Sequence, residues 1–234
     1  MQSLKQGGLA VVIGDSGGIG SAMSEALAES DSFARVLGFS RTSDPALDLL
    51  DEASIETAAR TVKDTGIDLR LVFDATGFLH GNSFGPEKSL SALDPAHMAH
   101  AFAINAAGPM LLMKHFLPLL PRTGKSVFAT LSARVGSIGD NALGGWYSYR
   151  ASKAALNQFV HSAAIELKRR TPEAVCVALH PGTVETRLSG GFARQGLDVR
   201  QPAEAAALLI NVIDGLSPDQ SGEFFDYGGT QVPW

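Results

Sequence analysis

Leu9-Ala10-Val11-Val12-Ile13-Gly14-Asp15-Ser16-Gly17-Gly18-Ile19-Gly20 joins a short apolar run to a glycine cluster, and a helical pattern follows from Ile19 to Ala28. An unbroken apolar run ending in Val11, Val12 and Ile13 reads as a strand, and the glycines after it read as a tight turn. Gly14, Gly18 and Gly20 stand at the spacing G-x-x-x-G-x-G. Glycine there lets the backbone turn sharply, approach a pyrophosphate and pack helix on strand, while the helix N-terminus supplies N–H donors. In a chain with 25 glycines the spacing alone is weak. Its place between the first strand and first helix makes it a dinucleotide-binding turn, with Gly14, Ser16, Gly18, Ile19 and Gly20 as contacts.

Outward from this turn, the same alternation continues. Strands are expected at Arg35 to Phe39, Leu69 to Asp74, Val127 to Leu131, Val175 to His180 and Glu223 to Phe225. Helices are expected at Ala53 to Lys63, Pro95 to Leu120, Tyr147 to Arg169 and Pro202 to Asp214. Such alternation implies right-handed crossovers and an α/β fold of Rossmann type, a doubly wound, mostly parallel sheet with helices on both faces. No repeat or linker divides the chain, so residues 1–234 read as a single dinucleotide-binding and catalytic domain. Gly144-Gly145 and Gly190-Gly191 lie in connections after strands, where such a sheet places its ligands.

The tip of the second strand decides which dinucleotide fits. A carboxylate there binds the adenosine ribose, whereas an arginine accommodates a 2′-phosphate. The strand runs into Ser40 and Arg41, which favours NADP(H); nearby Asp44 keeps NAD(H) open.

Further along, Tyr149 and Lys153 stand four apart near the start of a helix and project from one face. A cation beside a phenol favours the phenolate and moves its pKa toward the range of a general acid/base. That is the chemistry of carbonyl reduction, in which a hydride comes from a nicotinamide and a proton from the tyrosine.

The glycine turn, Tyr149-x-Ala151-Ser152-Lys153 and Pro181-Gly182-Thr183-Val184-Glu185-Thr186 together resemble the short-chain dehydrogenase/reductase family over essentially the whole chain. Gly136 through Asn157 and the ending Phe225 to Trp234 look like its C-factor and sniffer-like carbonyl reductase branch. The resemblance implies that Tyr149 is the proton donor, that Lys153 lowers its pKa and holds the nicotinamide ribose, and that Asn105 positions a water in the proton relay. It also implies that Asp48 and Leu49 contact the adenine, that Pro181, Gly182, Val184 and Thr186 grip the carboxamide side, and that the chain forms a homodimer or homotetramer through helices such as 147–170.

Two departures from that pattern stand out. The catalytic serine's position is Ala133; Ser132 beside it is the expected substrate-polarising hydroxyl, Ser137 is the fallback, and loss of the role is the third possibility. Asp74-Ala75-Thr76-Gly77 stands where the family usually shows Asn-Asn-Ala-Gly, so Ala75, Thr76 and Gly77 keep backbone near the cofactor while Asp74 lacks amide donors.

Composition excludes other classes. The formal charge is -5, and the one basic run, Lys168-Arg169-Arg170, reads as a solvated helix end, so neither nucleic acid nor a membrane surface is expected as partner. A lone Cys176 in apolar surroundings reads as a buried thiol, and with no apolar leader or spanning segment the expected setting is cytoplasmic. His97 and His100 lack a third ligand and read as helix-surface residues, so no metal is expected. Trp146 and Tyr147 line a pocket or pack under the loop before them. The small-molecule partner is a carbonyl or alcohol whose identity rests with Trp146 and the loop Gly190 to Val199.

Overall fold

The computed structural model describes residues 1–81, 84–189 and 198–234. In chain order the strands are β1 (Gly8–Ile13), β2 (Phe33–Phe39), β3 (Leu69–Asp74), β4 (Ser126–Leu131), β5 (Ala174–His180), the two-residue pair β6 (Thr183–Val184) and β7 (Val199–Arg200), and β8 (Phe224–Asp226). The main sheet has the order β2-β1-β3-β4-β5-β8, and every pair in it is parallel. The helices are α1 (Gly18–Glu29), α2 (Glu52–Asp64), α3 (Pro95–Phe102), α4 (Gly108–Phe116), α5 (Tyr147–Arg170) and α6 (Pro202–Gly215). This is the doubly wound architecture expected from the alternation, with β6 and β7, too short for any pattern, as unanticipated additions.

The alternation of side chains along each strand sorts the core into two layers. Leu9, Val11 and Ile13 of β1 pack with residues of α2, α4 and α5, while Ala10 and Val12 pack with α1 and α6. All of β1, β3 and β4 is buried, which is why these strands read as continuous apolar runs; β2 lies at the edge and exposes Ala34 and Arg35. Each fully buried Val, Leu, Ile or Phe contributes about 1.5–3 kcal/mol.

The chain runs from β1 to β2 on one side, and α2 then carries it back to β3 on the other. Strand order reverses between β1 and β3, and their carboxyl ends flank the crevice where this topology binds ligands.

The helix expected over Pro95 to Leu120 is not continuous. It divides into α3, a π-helical turn at Ala103–Ala107, α4 and a short 3₁₀ turn at Leu117–Leu119. Pro109 explains the break: it has no N–H to give the carbonyl four residues back, and its ring crowds that carbonyl. The ladder widens, Gly108 N–H reaches the Ala103 carbonyl, and Asn105 sits inside the widened turn.

Two smaller expectations hold. Lys168, Arg169 and Arg170 fill the last turn of α5, where cations complement the helix dipole. Cys176 is fully buried, and burial pushes its thiol up to about 12. Among the described residues no helix is long and apolar enough to cross a membrane.

Candidate active site

A cleft of about 2020 Å³ opens over the carboxyl ends of β1 and β3. Gly14, Ser16, Gly18, Ile19 and Gly20 line one wall, Ser40, Arg41, Asp48 and Leu49 one end, and Ala75, Thr76 and Gly77 the floor. Ser132, Tyr149, Lys153, Pro181, Gly182, Val184 and Thr186 also line it. Asp44, the residue that kept NAD(H) open, is exposed and lies outside the lining.

The glycine turn fits a dinucleotide on steric grounds. Gly14 has φ +83°, and a Cβ at Gly20 would fall 2.1 Å from the Gly14 carbonyl oxygen, so the turn closes only without side chains. A Cβ at Gly18 would meet Thr186 Cγ2 at 2.9 Å, which puts the Thr186 segment directly over the start of α1. The N-cap of α1, Gly17, supplies no side-chain acceptor, which leaves the first N–H groups of the helix for a phosphate.

Tyr149 and Lys153 meet the cleft from the first two turns of α5, and both are buried. Lys153 Nζ donates to the Leu131 carbonyl at 2.8 Å. Burial pulls its pKa down to about 8, against the opposing charge of Asp74. Burial alone pushes the Tyr149 phenol up to about 12. This differs from the lowering expected from spacing, because the ammonium is directed at Leu131. Asp74 accepts from Thr76 N–H at 3.0 Å, Thr76 Oγ1 at 2.6 Å and Thr130 Oγ1 at 2.7 Å; burial nonetheless raises its carboxyl above the usual range.

Asn105 serves as a bracket. Its Oδ1 accepts from Phe78 N–H at 2.7 Å, and its Nδ2 donates to the Phe78 carbonyl at 2.7 Å and Ser152 Oγ at 3.1 Å. Its side-chain amide ties the segment after β3 to α5, and Asn105 is not part of the cleft lining. Ser132 lines the cleft, but its hydroxyl donates to Asn157 Oδ1 at 2.6 Å. The fallback, Ser137, accepts from Asp140 N–H at 3.0 Å and lies outside the lining. Ala133 does face the cleft, with no hydroxyl to offer.

The start of α5 holds what spacing did not reveal. Glu87, buried, accepts the Ser148 N–H on Oε2 at 3.2 Å and the Ser148 hydroxyl on Oε1, and its main-chain carbonyl accepts from Trp146 N–H at 2.6 Å. Burial, the largest single effect, would raise its pKa, but the Ser148 hydrogen bonds, a hydrogen bond from its own main chain and the neighbouring His97 together hold the carboxyl below the usual range. His97 corrects the sequence reading: it is 3% exposed, with Nδ1 3.2 Å from Glu87 Oε1 and Phe84 stacked on its ring. A partner carboxylate is what lets it leave the surface.

Trp146 lines the cleft and Tyr147 does not; of the two loops, Gly144-Gly145 lines it, and Gly190-Gly191 lies outside the described residues. Sequence reading also missed His180, whose ring burial and the Arg134 charge push down to about 4, leaving a neutral imidazole in the wall.

A family model described as enoyl-(acyl carrier protein) reductase, within the short-chain dehydrogenases/reductases, matches residues 2–214. The chain belongs to the short-chain dehydrogenase/reductase family. As a member it is an NAD(P)-dependent oxidoreductase. C-signal of Myxococcus xanthus is 43% identical over 148 residues, covering 62% of this chain and 84% of that protein. A 1-hydroxy-2-glutathionyl-2-methyl-3-butene dehydrogenase of Rhodococcus sp. (strain AD45) is 35% identical over 194 residues, 82% of this chain and 80% of the relative. Among solved structures, the NADPH-bound carbonyl reductase from chicken fatty liver aligns with TM-score 0.82 and 26% identity over 98% of this chain and 100% of its own. These likenesses bear out the C-factor and carbonyl-reductase branch read from Gly136 to Asn157 and from the chain's ending.

Proposed function

We propose that this chain is an NADPH-dependent carbonyl reductase. The observation that carries the reading is a buried phenol, Tyr149, beside Lys153 on the wall of a cleft that also contains the glycine turn and Arg41. NADPH, when bound, supplies the hydride that reduces the carbonyl carbon.

The chain's own residues do the rest. The N–H groups at the start of α1 and the turn Gly14 to Gly20 bind the pyrophosphate, and Ser40 and Arg41 hold the 2′-phosphate. Asp48 and Leu49 border the adenine, Ala75, Thr76 and Gly77 bring main chain along the cofactor, and Pro181, Gly182, Val184 and Thr186 orient the carboxamide. Tyr149 passes its phenolic proton to the carbonyl oxygen as the C–H bond forms, so that C=O becomes CH–OH. A phenol at about 12 stays protonated at neutral pH, the state in which it can donate to a carbonyl oxygen. Lys153, largely cationic below about 8, holds the ribose and, once turned from the Leu131 carbonyl, stabilises the phenolate left behind. Ser132 polarises the carbonyl only if it leaves Asn157; otherwise Tyr149 is the hydrogen-bond donor to the oxygen. A homodimer or homotetramer and a cytoplasmic setting complete the reading.

A second reading is favoured by the engaged Ser132 and by Ala133: a nucleotide-binding signalling protein with weakened chemistry. Fluorescence titration with NADPH and NADH, followed by a panel of aldehydes, quinones and diketones, tests both. Tighter NADPH binding with turnover that vanishes in Lys153→Met supports the reductase. NADPH binding without turnover supports the second reading.

A further inference from the structure

Trp146 has φ 52° and ψ 43°, and no other non-glycine among the described residues has a positive φ. A bulky residue in the left-handed region is an outlier that persists only where its surroundings over-determine it. It is the N-cap of α5 and makes no side-chain cap hydrogen bond, so that helix is not closed from within its own sequence.

Glu87, far away in sequence, closes it. Its carbonyl takes the Trp146 N–H, and its carboxylate takes the N–H and hydroxyl of Ser148, so one residue grips both sides of the elbow. Its charge sits at the positive end of the helix dipole, and the position is one where the N–H groups of a helix lack partners. The carboxylate is in turn fixed by His97 of α3, on which Phe84 stacks with ring centroids 5.0 Å apart. The elbow sets the Trp146 indole edge-on to Tyr149, centroids 6.2 Å apart, and both rings line the cleft.

We propose that Glu87, held by His97, is a positioning residue that fixes the Trp146–Tyr149 elbow and thereby sets where a substrate carbonyl meets the phenol. This rests on the reading of Tyr149 as proton donor. Glu87 and His97 lie outside the cleft lining and touch neither the glycine turn nor Arg41, so their loss acts on turnover and substrate fit and spares the cofactor.

The experiment uses the full chain with Trp234→Phe, which leaves Trp146 as the only indole of the two. Glu87→Ala is expected to shift the Trp146 emission maximum and to lower kcat by about 10- to 100-fold, with NADPH affinity within about threefold of the parent. Glu87→Gln, whose amide oxygen still accepts the Ser148 N–H, recovers most of both. Should Glu87→Ala not fold, Ser148→Ala carries the same expectation. Unchanged emission and kcat, or NADPH binding lost in step with kcat, overturns the proposal. If the parent itself reduces no carbonyl, the reductase reading fails instead, and the emission shift with its recovery in Glu87→Gln still decides the positioning claim.

Discussion

The hydroxyl of Ser132 donates to Asn157 Oδ1 at 2.6 Å, which commits its proton to α5. Removing a hydrogen-bond donor from a developing oxyanion costs about 10²–10³ in kcat. Ser132→Ala is therefore expected to lower kcat by less than about tenfold, while unfolding becomes easier by about 1–3 kcal/mol because Asn157 is left buried without this partner. Steady-state kinetics and a urea titration of the same variant separate the two; a drop of 10²-fold or more returns Ser132 to the chemistry.

The pH dependence follows from two groups. Lys153 must be cationic and its pKa stands at about 8, lowered by burial against the opposing charge of Asp74. Tyr149, at about 12, stays protonated throughout that range. Reduction is thus expected to be full below about 8 and to fall as pH rises through it. Asp74→Asn removes the anion that keeps Lys153 charged, so the alkaline limb of the kcat profile moves to lower pH. A limb that stays put or moves upward means Asp74 does not act on Lys153.

Arg41 tests the cofactor end. A hydrogen bond to a charged group contributes about 1.5–3 kcal/mol, so Arg41→Ala is expected to weaken NADPH binding by about 10- to 100-fold and to leave NADH unchanged. Fluorescence titration of both cofactors reads this directly, and equal losses for the two would remove Arg41 from the 2′-phosphate site.

Gly20→Ala places a methyl 2.1 Å from the Gly14 carbonyl oxygen, a main-chain atom that cannot swing aside. Overpacking of this kind costs about 1–3 kcal/mol. A lowered Tm together with NADPH affinity reduced at least tenfold is the expected outcome; a variant that melts and binds like the parent shows that the turn is looser than its geometry.

Much of this is legible in the sequence, for a physical reason. The run Leu9 to Ile13, the glycines after it and the four-residue step from Tyr149 to Lys153 are local patterns, and local patterns survive into the fold. The π turn at Ala103–Ala107 was half legible: Pro109 marked a break that the apolar periodicity of Pro95 to Leu120 concealed. Glu87, His97 and Ser148 carry no common spacing, since they meet only when α3 packs on α5. For that reason a surface reading of His97 fails, and no local pattern points to Glu87. The hydroxyl of Ser132 was illegible in another sense, because its direction depends on Asn157 across the helix interface.

The most direct test of the central claim is Tyr149→Phe, assayed for carbonyl reduction with NADPH and for NADPH binding in the same preparation. General acid catalysis is worth about 10²–10⁴, so the expected result is a loss of kcat in that range with cofactor affinity retained. Turnover that persists at the parent rate in Tyr149→Phe would contradict it.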